Sequence, residues 1–233
     1  MSFLSANSIA PAPPEAARIL FGSRLPAAVA YADLLAGPGV ERGLIGPGEM
    51  ARLWDRHLLN SAAVAELVPA DCKLADLGSG AGLPGIVLAI LLPGADVLLV
   101  EPMSRRTTFL AECARELRLR NVRIIRGRAE EFAGQIQADV VTSRAVASLD
   151  KLAVLAAGLA RPGGLVLAIK GAKASQELDE AAAILDRLGA GDRSVVIAGA
   201  AVLEQPATIV RFTTSGSAGR GPALGGSAGG SRP

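Results

Sequence analysis

DLGSGAGLPGI, at residues 76–86, joins the end of a predicted β-strand to the start of a predicted helix. Its second half, Gly80-Ala-Gly82-Leu-Pro-Gly85, matches the GxGxxG pattern of dinucleotide-binding turns. Its first half places an acid, Asp76, two residues before the first glycine. Glycines in such a turn let the backbone approach a ligand closely. The stretch therefore predicts a strand–turn–helix unit that binds a molecule containing a nucleoside.

Strand and helix patterns alternate along the chain from residue 72 onward. The predicted strands are 73–78, 96–101, 122–127, 139–144, 164–170, 194–199 and 208–213, and the predicted helices are 84–92, 104–118, 147–160 and 174–188. Continuous apolar strands separated by helices indicate a parallel sheet that is covered on both faces. Only AAVLEQPA separates the last two strands, which is too short for a crossover helix, so we expect the final strand to be antiparallel.

The fold class that follows is α/β, a doubly wound Rossmann-like sheet of seven mostly parallel strands behind an N-terminal helical lead-in. In the lead-in, one helix is predicted from Pro14 to about Ala36 with a break at 22–26, and a second from Glu49 to about Val68. The Gly- and Pro-rich stretch 37–48 between them is predicted to be a loop. The predicted domain limits are a disordered N-terminus over 1–14, the lead-in over 15–70, the α/β domain over 71–214 and a disordered Gly/Ser-rich tail over 215–233.

Composition sets few limits on function. The 233 residues are 50% hydrophobic with a formal charge of +2, which fits one globular domain and does not by itself indicate a nucleic-acid partner. Cys72 and Cys113 have no metal-site spacing and form no disulfide framework, so we expect free thiols and no metal. The N-terminus lacks a signal-peptide pattern, and the apolar stretch 86–100 is interrupted by Pro93 and Gly94, so we expect a cytoplasmic protein.

Two acids near the turn narrow the class of ligand that the turn can bind. Glu101 ends the second strand, 19 residues after Gly82, where a carboxylate can accept hydrogen bonds from both hydroxyls of a ribose. Asp76 would repel a pyrophosphate, but it suits a positively charged amine such as that of S-adenosylmethionine. Alternatively, Asp76 caps the turn and contacts no ligand.

Charged residues also end the next three strands. Glu130, with the small Ala129 before it, can lie beside a nucleoside base or cap the helix that follows. Arg144 and Lys170 end the fourth and fifth strands, where two cations suit an anionic substrate. A basic cluster between residues 105 and 128 is either a solvated face or an RNA-contacting one. His57 has no Ser or Cys motif to form a triad, so we expect it to pack over the site.

Six motifs together resemble one family, the RsmG (glucose-inhibited division protein B) methyltransferases. They occur in the family's order over roughly residues 50–171 and are RHLLNS (56–61), DLGSGAGLPGIVLAI (76–90), EPMSRRTTFL (101–110), RAEEF (128–132), SRAVASL (143–149) and AIKG (168–171). The chain departs from the family at Asn60, where Asp is common, and at GPGVERGLIGPG (37–48), which replaces a segment containing Trp and Asn-Leu-Thr.

The resemblance implies an S-adenosylmethionine-dependent enzyme that methylates N7 of a guanine in the decoding region (530 loop) of 16S rRNA. The partner would be the small ribosomal subunit, and we expect a monomer. By motif, the resemblance assigns cofactor contacts to Gly78, Leu83, Glu101, Ala129, Glu130 and Arg144, to which the turn itself adds Asp76 and Gly80. Arg144 and Lys170 are the candidates for positioning the substrate.

The missing motifs agree with this chemistry. Guanine N7 carries a free lone pair, so its methylation needs alignment rather than a general base or a covalent nucleophile. The sequence also lacks an Asn-Pro-Pro-Tyr motif of the kind that methylates exocyclic amino groups. Two alternatives stay open: a nicotinamide-dependent oxidoreductase, which GxGxxG and the acid permit, and a non-catalytic RNA-binding protein of ribosome assembly.

Overall fold

The computed structural model describes residues 9–144 and 147–215. The predicted disorder of 1–8 and of 216–233 lies outside the described residues. Residues 9–11 depart from the disorder predicted for 1–14, because they are bonded to the body of the protein. The backbone N–H groups of Ile9 and Ala10 both donate to Asp33 at 3.0 Å, and Trp54 Nε1 donates to the Pro11 carbonyl at 2.8 Å.

The lead-in begins with two short helices, α1 (Glu15–Phe21) and α2 (Leu25–Leu34). A 3₁₀ turn at Gly22–Arg24 separates them, which confirms the predicted break. The predicted loop at 37–48 is wrong over its first part. The chain continues from α2 through a wide π turn at Leu35–Gly39 and stays helical to residue 41. Packing outweighs local propensity here, since Leu35, Gly37 and Gly39 are buried and the wide turn accommodates Pro38.

A second helical segment covers residues 47–67, close to the prediction, but it is irregular. It consists of a 3₁₀ turn (Pro47–Arg52), a π segment (Leu53–Leu59), the short helix α3 (Asn60–Ala63) and a final 3₁₀ turn (Val64–Leu67). The π segment buries both His57 and Trp54. Wide turns of this kind are often found at functional sites.

The α/β domain is one seven-stranded sheet in the order β3-β2-β1-β4-β5-β7-β6. The strands are β1 (Lys73–Leu77), β2 (Asp96–Glu101), β3 (Val122–Arg126), β4 (Ala138–Arg144), β5 (Ala160–Lys170), β6 (Gly191–Ala198) and β7 (Ala207–Thr213). Only β7 runs against its neighbours, β5 and β6, so the predicted antiparallel final strand is confirmed. The strand order reverses between β1 and β4, where Asp76 pairs with Thr142.

Helices cover both faces of this sheet. The connections contain α4 (Gly85–Leu91), α5 (Ser104–Glu116), α6 (Leu149–Leu159), α7 (Ala174–Glu180) and α8 (Ala182–Arg187), so the helix predicted at 174–188 is two helices. One core joins the lead-in, α4 and α5 to one face, and the other joins α6, α7 and α8 to the opposite face.

One helical run, Glu15–Gly39, is long and apolar enough to cross a membrane by length and composition alone. It is not the stretch 86–100 that the sequence singled out. Its buried side chains include Phe21, Tyr31 and Leu35, which belong to the core shared with the sheet. A core helix of a water-soluble protein passes the same test, so this run is weak evidence for a membrane segment.

Candidate functional site

A cavity of about 540 Å³ opens at the carboxyl ends of β1, β2 and β4, where the strand order reverses. Ligands of open α/β sheets bind at this place. The lead-in, the turn after β1, the end of β2 and the end of β4 all contribute to its wall. The lining residues are Leu44, Ile45, Gly46, Glu49, His57, Gly78, Ser79, Gly80, Ala81, Leu83, Glu101, Pro102, Met103, Arg106 and Arg144.

The turn after β1 is held by its own backbone. Gly78 and Ser79 donate N–H groups to the Val100 carbonyl at 2.9 and 3.2 Å, and Gly82 donates to the Ser79 carbonyl at 2.7 Å. Gly80 has a φ of +59°, and a Cβ added there would meet only the Gly78 carbonyl oxygen, at 3.8 Å. Gly80 therefore leaves the cavity side of the turn open, as the sequence predicts for a glycine that a ligand approaches.

Gly82 packs against the interior of the protein rather than lining the cavity. A Cβ there would lie 2.5 Å from Ile86 Cγ1 and 2.7 Å from Tyr31 Oη. Tyr31 is fully buried on α2, and its hydroxyl donates to the Ala81 carbonyl at 2.7 Å. The lead-in thus stabilises the turn through the hydrogen bond from Tyr31. Sequence reasoning missed Tyr31, and the only available signal was that it is the single tyrosine of the chain.

Asp76 lies beneath the turn and is not among the cavity-lining residues. Its Oδ2 accepts the N–H of Gly85 at 3.1 Å, and its Oδ1 accepts the hydroxyl of Thr142 at 3.4 Å. Burial raises the pKa of Asp76 to about 6, and its hydrogen bonds oppose that rise only in part. This is the turn-capping arrangement, and it uses the first N–H of α4 inside the protein rather than toward a ligand.

Glu101 occupies the position that the sequence predicts, at the end of β2 and on the cavity wall. Its Oε2 accepts the N–H of Gly80 at 3.0 Å, and its Oε1 accepts the N–H of Met103 at 2.9 Å. Arg106 Nη1 approaches Oε2 at 3.5 Å. Each carboxylate oxygen has two lone pairs, so Glu101 can still accept from hydroxyl groups in the cavity.

A chain of three side chains forms the wall opposite Glu101. His57 Nε2 lies 2.9 Å from Glu49 Oε2, and His57 Nδ1 lies 2.9 Å from an Nη atom of Arg144. Arg144 also donates to the carbonyl of Arg56 at 3.3 Å. Burial and the neighbouring Arg144 lower the pKa of His57, while Glu49 opposes this in part. Packing over the site was predicted for His57, but its bonds to Glu49 and Arg144 were not.

Besides Asp76, three predicted site residues lie outside the cavity lining. Ala129 is buried and Glu130 exposed in a 3₁₀ turn (Ala129–Phe132) after β3. The ammonium group of Lys170 donates to the Ala147 carbonyl at 2.8 Å and pairs with Glu177 at 2.8 Å. Lys170 therefore has two partners within the protein, and neither was predicted.

The basic cluster of residues 105–128 is partly neutralised. Arg115 pairs with Glu116 at 3.0 Å, Arg106 lies 3.5 Å from Glu101, and Arg123 pairs with Asp96 on β2. These acids lower the net positive charge near α5 and β3, which favours the reading of this cluster as a solvated face.

Comparison with known families gives one match over most of the chain. The model of the family GidB, described as rRNA small subunit methyltransferase G, matches residues 24–204. Ribosomal RNA small subunit methyltransferase G of Salinispora tropica is 54% identical over 210 residues, covering 86% of this chain and 87% of that protein. The protein of the same name from Thermobifida fusca is 53% identical over 203 residues, covering 87% and 86%.

Solved structures share the fold at low sequence identity. A SAM-dependent O-methyltransferase from Thermotoga maritima is 14% identical with a TM-score of 0.55, over 72% of this chain and 70% of that one. P. horikoshii TYW2 in complex with MeSAdo gives the same identity and TM-score over 69% of this chain. The match spans 63% of the TYW2 chain, somewhat less than two thirds of its length. Both likenesses show a Rossmann-like fold.

Proposed function

The chain belongs to the rRNA small subunit methyltransferase G family, and from that premise we propose that it methylates N7 of one guanine in the decoding region of 16S rRNA. Family membership makes it an rRNA methyltransferase that uses S-adenosylmethionine. The guanine, its N7 atom and the small subunit as partner are the proposed part. Membership also decides against the nicotinamide-dependent oxidoreductase and the non-catalytic RNA-binding protein.

The groups that line the cavity suit the chemistry of S-adenosylmethionine. Gly80 leaves the turn open to the adenosyl group, and Glu101 offers carboxylate oxygens to the two ribose hydroxyls. Leu83 and Met103 add apolar surface on the same wall. Arg144 supplies a guanidinium for an anionic group, either the carboxylate of the donor or an RNA phosphate.

The other predicted contacts differ in their position relative to the cavity. Gly78 lines the cavity, whereas Asp76 acts through the shape of the turn. Ala129 and Glu130 follow β3 at the same edge of the sheet, and we keep them as contacts to the adenine base. Lys170 stays a candidate for positioning the substrate, although two of its three N–H donors already have partners.

The residues at the cavity suit methylation of a ring nitrogen that has a free lone pair. When bound, S-adenosylmethionine supplies a methyl group on a positively charged sulfur, and the sulfur retains the electron pair of the S–C bond when that group leaves. Guanine N7 gives up no proton, so the enzyme needs no general base. Its side chains act by orientation, and Arg144 can donate to guanine O6 or to a neighbouring phosphate.

The geometry that best supports this function is the opening between Gly80 and Glu101 on one wall and Arg144 on the other. Both the lead-in and the α/β domain contribute to it, so we assign residues 15–70 and 71–214 to one catalytic unit.

We also propose a cytoplasmic monomer. Large exposed apolar side chains of the described residues lie on separate segments, at Ile9, Ile19, Met103, Val154 and Ile197.

The test is transfer of labelled methyl from S-adenosylmethionine to small subunits whose rRNA lacks the modification. Protein-free 16S rRNA and tRNA serve as comparison substrates, and the product nucleosides are analysed. We expect label in 7-methylguanosine from 16S rRNA, and none with the Gly80→Arg variant. Label in another nucleoside would overturn the assignment to N7, and label only in tRNA would overturn the substrate.

A further inference from the structure

The hydrogen bonds around His57 fix its protonation state. A guanidinium has N–H donors and no acceptor, so His57 Nδ1 must be the acceptor for Arg144 at 2.9 Å. The proton of a neutral imidazole then sits on Nε2, which donates to the carboxylate of Glu49 at 2.9 Å. Glu49, His57 and Arg144 therefore form one directed chain, here called the relay.

The relay joins two parts of the protein that are distant in sequence. Glu49 and His57 lie in the helical segment 47–67, whereas Arg144 is the last residue of β4. His57 is 9% exposed, so water competes little for its two bonds. The two hydrogen bonds of Arg144, to His57 Nδ1 and to the Arg56 carbonyl, orient one edge of the guanidinium toward the lead-in. Its Nε–H and remaining N–H donors stay available to the cavity.

We propose that Glu49 and His57 are positioning residues that hold the Arg144 guanidinium at the cavity wall for an anionic group, and that protonation of His57 releases it. The anionic group is a carboxylate or a phosphate. The inference deepens the proposed function and rests on it for its activity readouts. The protonation state and tautomer of His57 can be measured without any activity.

The charges that face the relay come from three places. Arg56 and Arg52 lie in the same helical segment as Glu49, Tyr31 faces Arg144 from α2, and Asp76 faces it from β1. Burial and Arg144 lower the pKa of His57, so the imidazole is neutral at pH 7 and gains its proton only in more acidic solution. The hydrogen bond from His57 lowers the pKa of Glu49, so the carboxylate remains ionised in that range. Protonated His57 would place a second cation against Arg144 and remove the acceptor.

The first measurement is nitrogen NMR of the imidazole in untagged protein. His57 is the only histidine of the chain, so one pair of ring signals reports its state. We expect a neutral ring with the proton on Nε2 at pH 7, and a changed Nδ1 signal in Arg144→Met. A proton on Nδ1, or a charged ring at pH 7, would overturn the inference.

The second measurement compares His57→Asn with His57→Ala. The Asn amide oxygen stands near the Nδ1 position and can still accept from Arg144, but it does not titrate. We expect His57→Ala to weaken ligand binding at least tenfold and His57→Asn to recover most of that loss. In wild type, ligand binding should weaken in acidic solution as His57 gains a proton, and we expect this acid limb of the pH profile of binding to vanish in His57→Asn. Arg24→Ala, at an exposed position of the lead-in, is the control.

Two assays separate the sources of the anionic group. The Kd for S-adenosylmethionine is measured without RNA, and the KM for small subunits is measured at saturating donor. A higher Kd for S-adenosylmethionine in His57→Ala shows that Arg144 binds the carboxylate of the donor. A higher KM for small subunits with an unchanged Kd shows that Arg144 binds an RNA phosphate. Unchanged Kd and KM in His57→Ala, or an unchanged acid limb in His57→Asn, would overturn the positioning role. If these readouts behave as expected but no 7-methylguanosine forms, the proposed function fails and the relay stands.

Discussion

The two walls of the cavity are built by different means. The turn wall, residues 78–83, is shaped by backbone hydrogen bonds and by glycines with positive φ. The relay wall is made of side chains, and its His57–Arg144 bond joins residues 87 positions apart. Backbone geometry does not titrate, but at Gly82 it leaves no room for an added Cβ. The relay, by contrast, depends on the protonation state of His57.

The largest expected effect is on the turn wall, in Gly80→Arg. The new side chain would fill the open space above Gly80, so we expect the affinity for S-adenosylmethionine to fall at least 1000-fold, or about 4 kcal/mol. Isothermal titration calorimetry with the donor measures this loss. Unchanged affinity would remove the cavity from consideration as the cofactor site.

Gly134→Arg is the matched control for that variant. Gly134 also has a positive φ, and a Cβ there meets no atom within 4 Å, so the backbone strain is similar. It does not line the cavity. We expect both variants to lose about 1–2 kcal/mol of stability, and only Gly80→Arg to lose the donor.

Gly82→Ala tests the inner side of the same wall. Its Cβ would overlap Ile86 and the hydroxyl of Tyr31 at a φ of +100°, so we expect a loss of about 3–4 kcal/mol in the free energy of unfolding. Urea denaturation measures it. Adding Tyr31→Phe removes one of the overlapping atoms, so the double variant should be more stable than the sum of the single effects predicts. Strict additivity would contradict the contact between Tyr31 and the turn.

The turn wall could be predicted from the sequence because its signals are local. A strand, a glycine run and an acid at the end of the next strand lie within residues 73–101, and each has a fixed geometrical meaning. The sheet was predicted for the same reason, since apolar runs and turn residues mark the strands one at a time. The wide turn at Leu35–Gly39 was missed because burial against the core, rather than local propensity, selects it.

Arg144 and His57 were predicted near the site one at a time, but the bonds that join them to each other and to Glu49 could not be predicted, because nothing local indicates them. Glu49 and His57 resemble other polar residues of an amphipathic helix, and their meaning comes from Arg144 on a distant strand. Lys170 shows the opposite error. The strand end was located correctly, but its partner Glu177 lies on a helix whose packing the sequence does not specify.

Asp76→Asn tests whether the turn wall also depends on protonation, because the buried carboxyl of Asp76 lies beneath it. Burial raises the pKa of Asp76 from 3.8 to about 6, so the stability that this group contributes is complete below about pH 4 and is lost as the pH rises through 6. Asn can accept from Gly85 without titrating. We expect the stability of Asp76→Asn relative to wild type to increase by about 2 kcal/mol between pH 4 and 7. Urea denaturation at several pH values measures it, and a constant difference would contradict a raised pKa.

The smallest expected effect concerns Lys170, which belongs to neither wall. If its third N–H donor contacts the substrate, Lys170→Ala should leave the Kd for S-adenosylmethionine within about twofold and slow methyl transfer about tenfold, or about 1.4 kcal/mol. Single-turnover assays on small subunits measure the transfer step. Lys173→Ala, at an exposed position nearby, should change neither value.

Glu177→Gln distinguishes a substrate contact of Lys170 from a purely structural role of its ammonium group. This variant removes the ion pair but leaves the bond from Lys170 to the Ala147 carbonyl. An ammonium group that serves the substrate is then freer to reach it, so transfer should not slow. If Glu177→Gln slows transfer as much as Lys170→Ala, the ion pair itself carries the effect, and Lys170 has no substrate role. A loss of donor affinity in Lys170→Ala would instead extend the cofactor site to β5, beyond both walls.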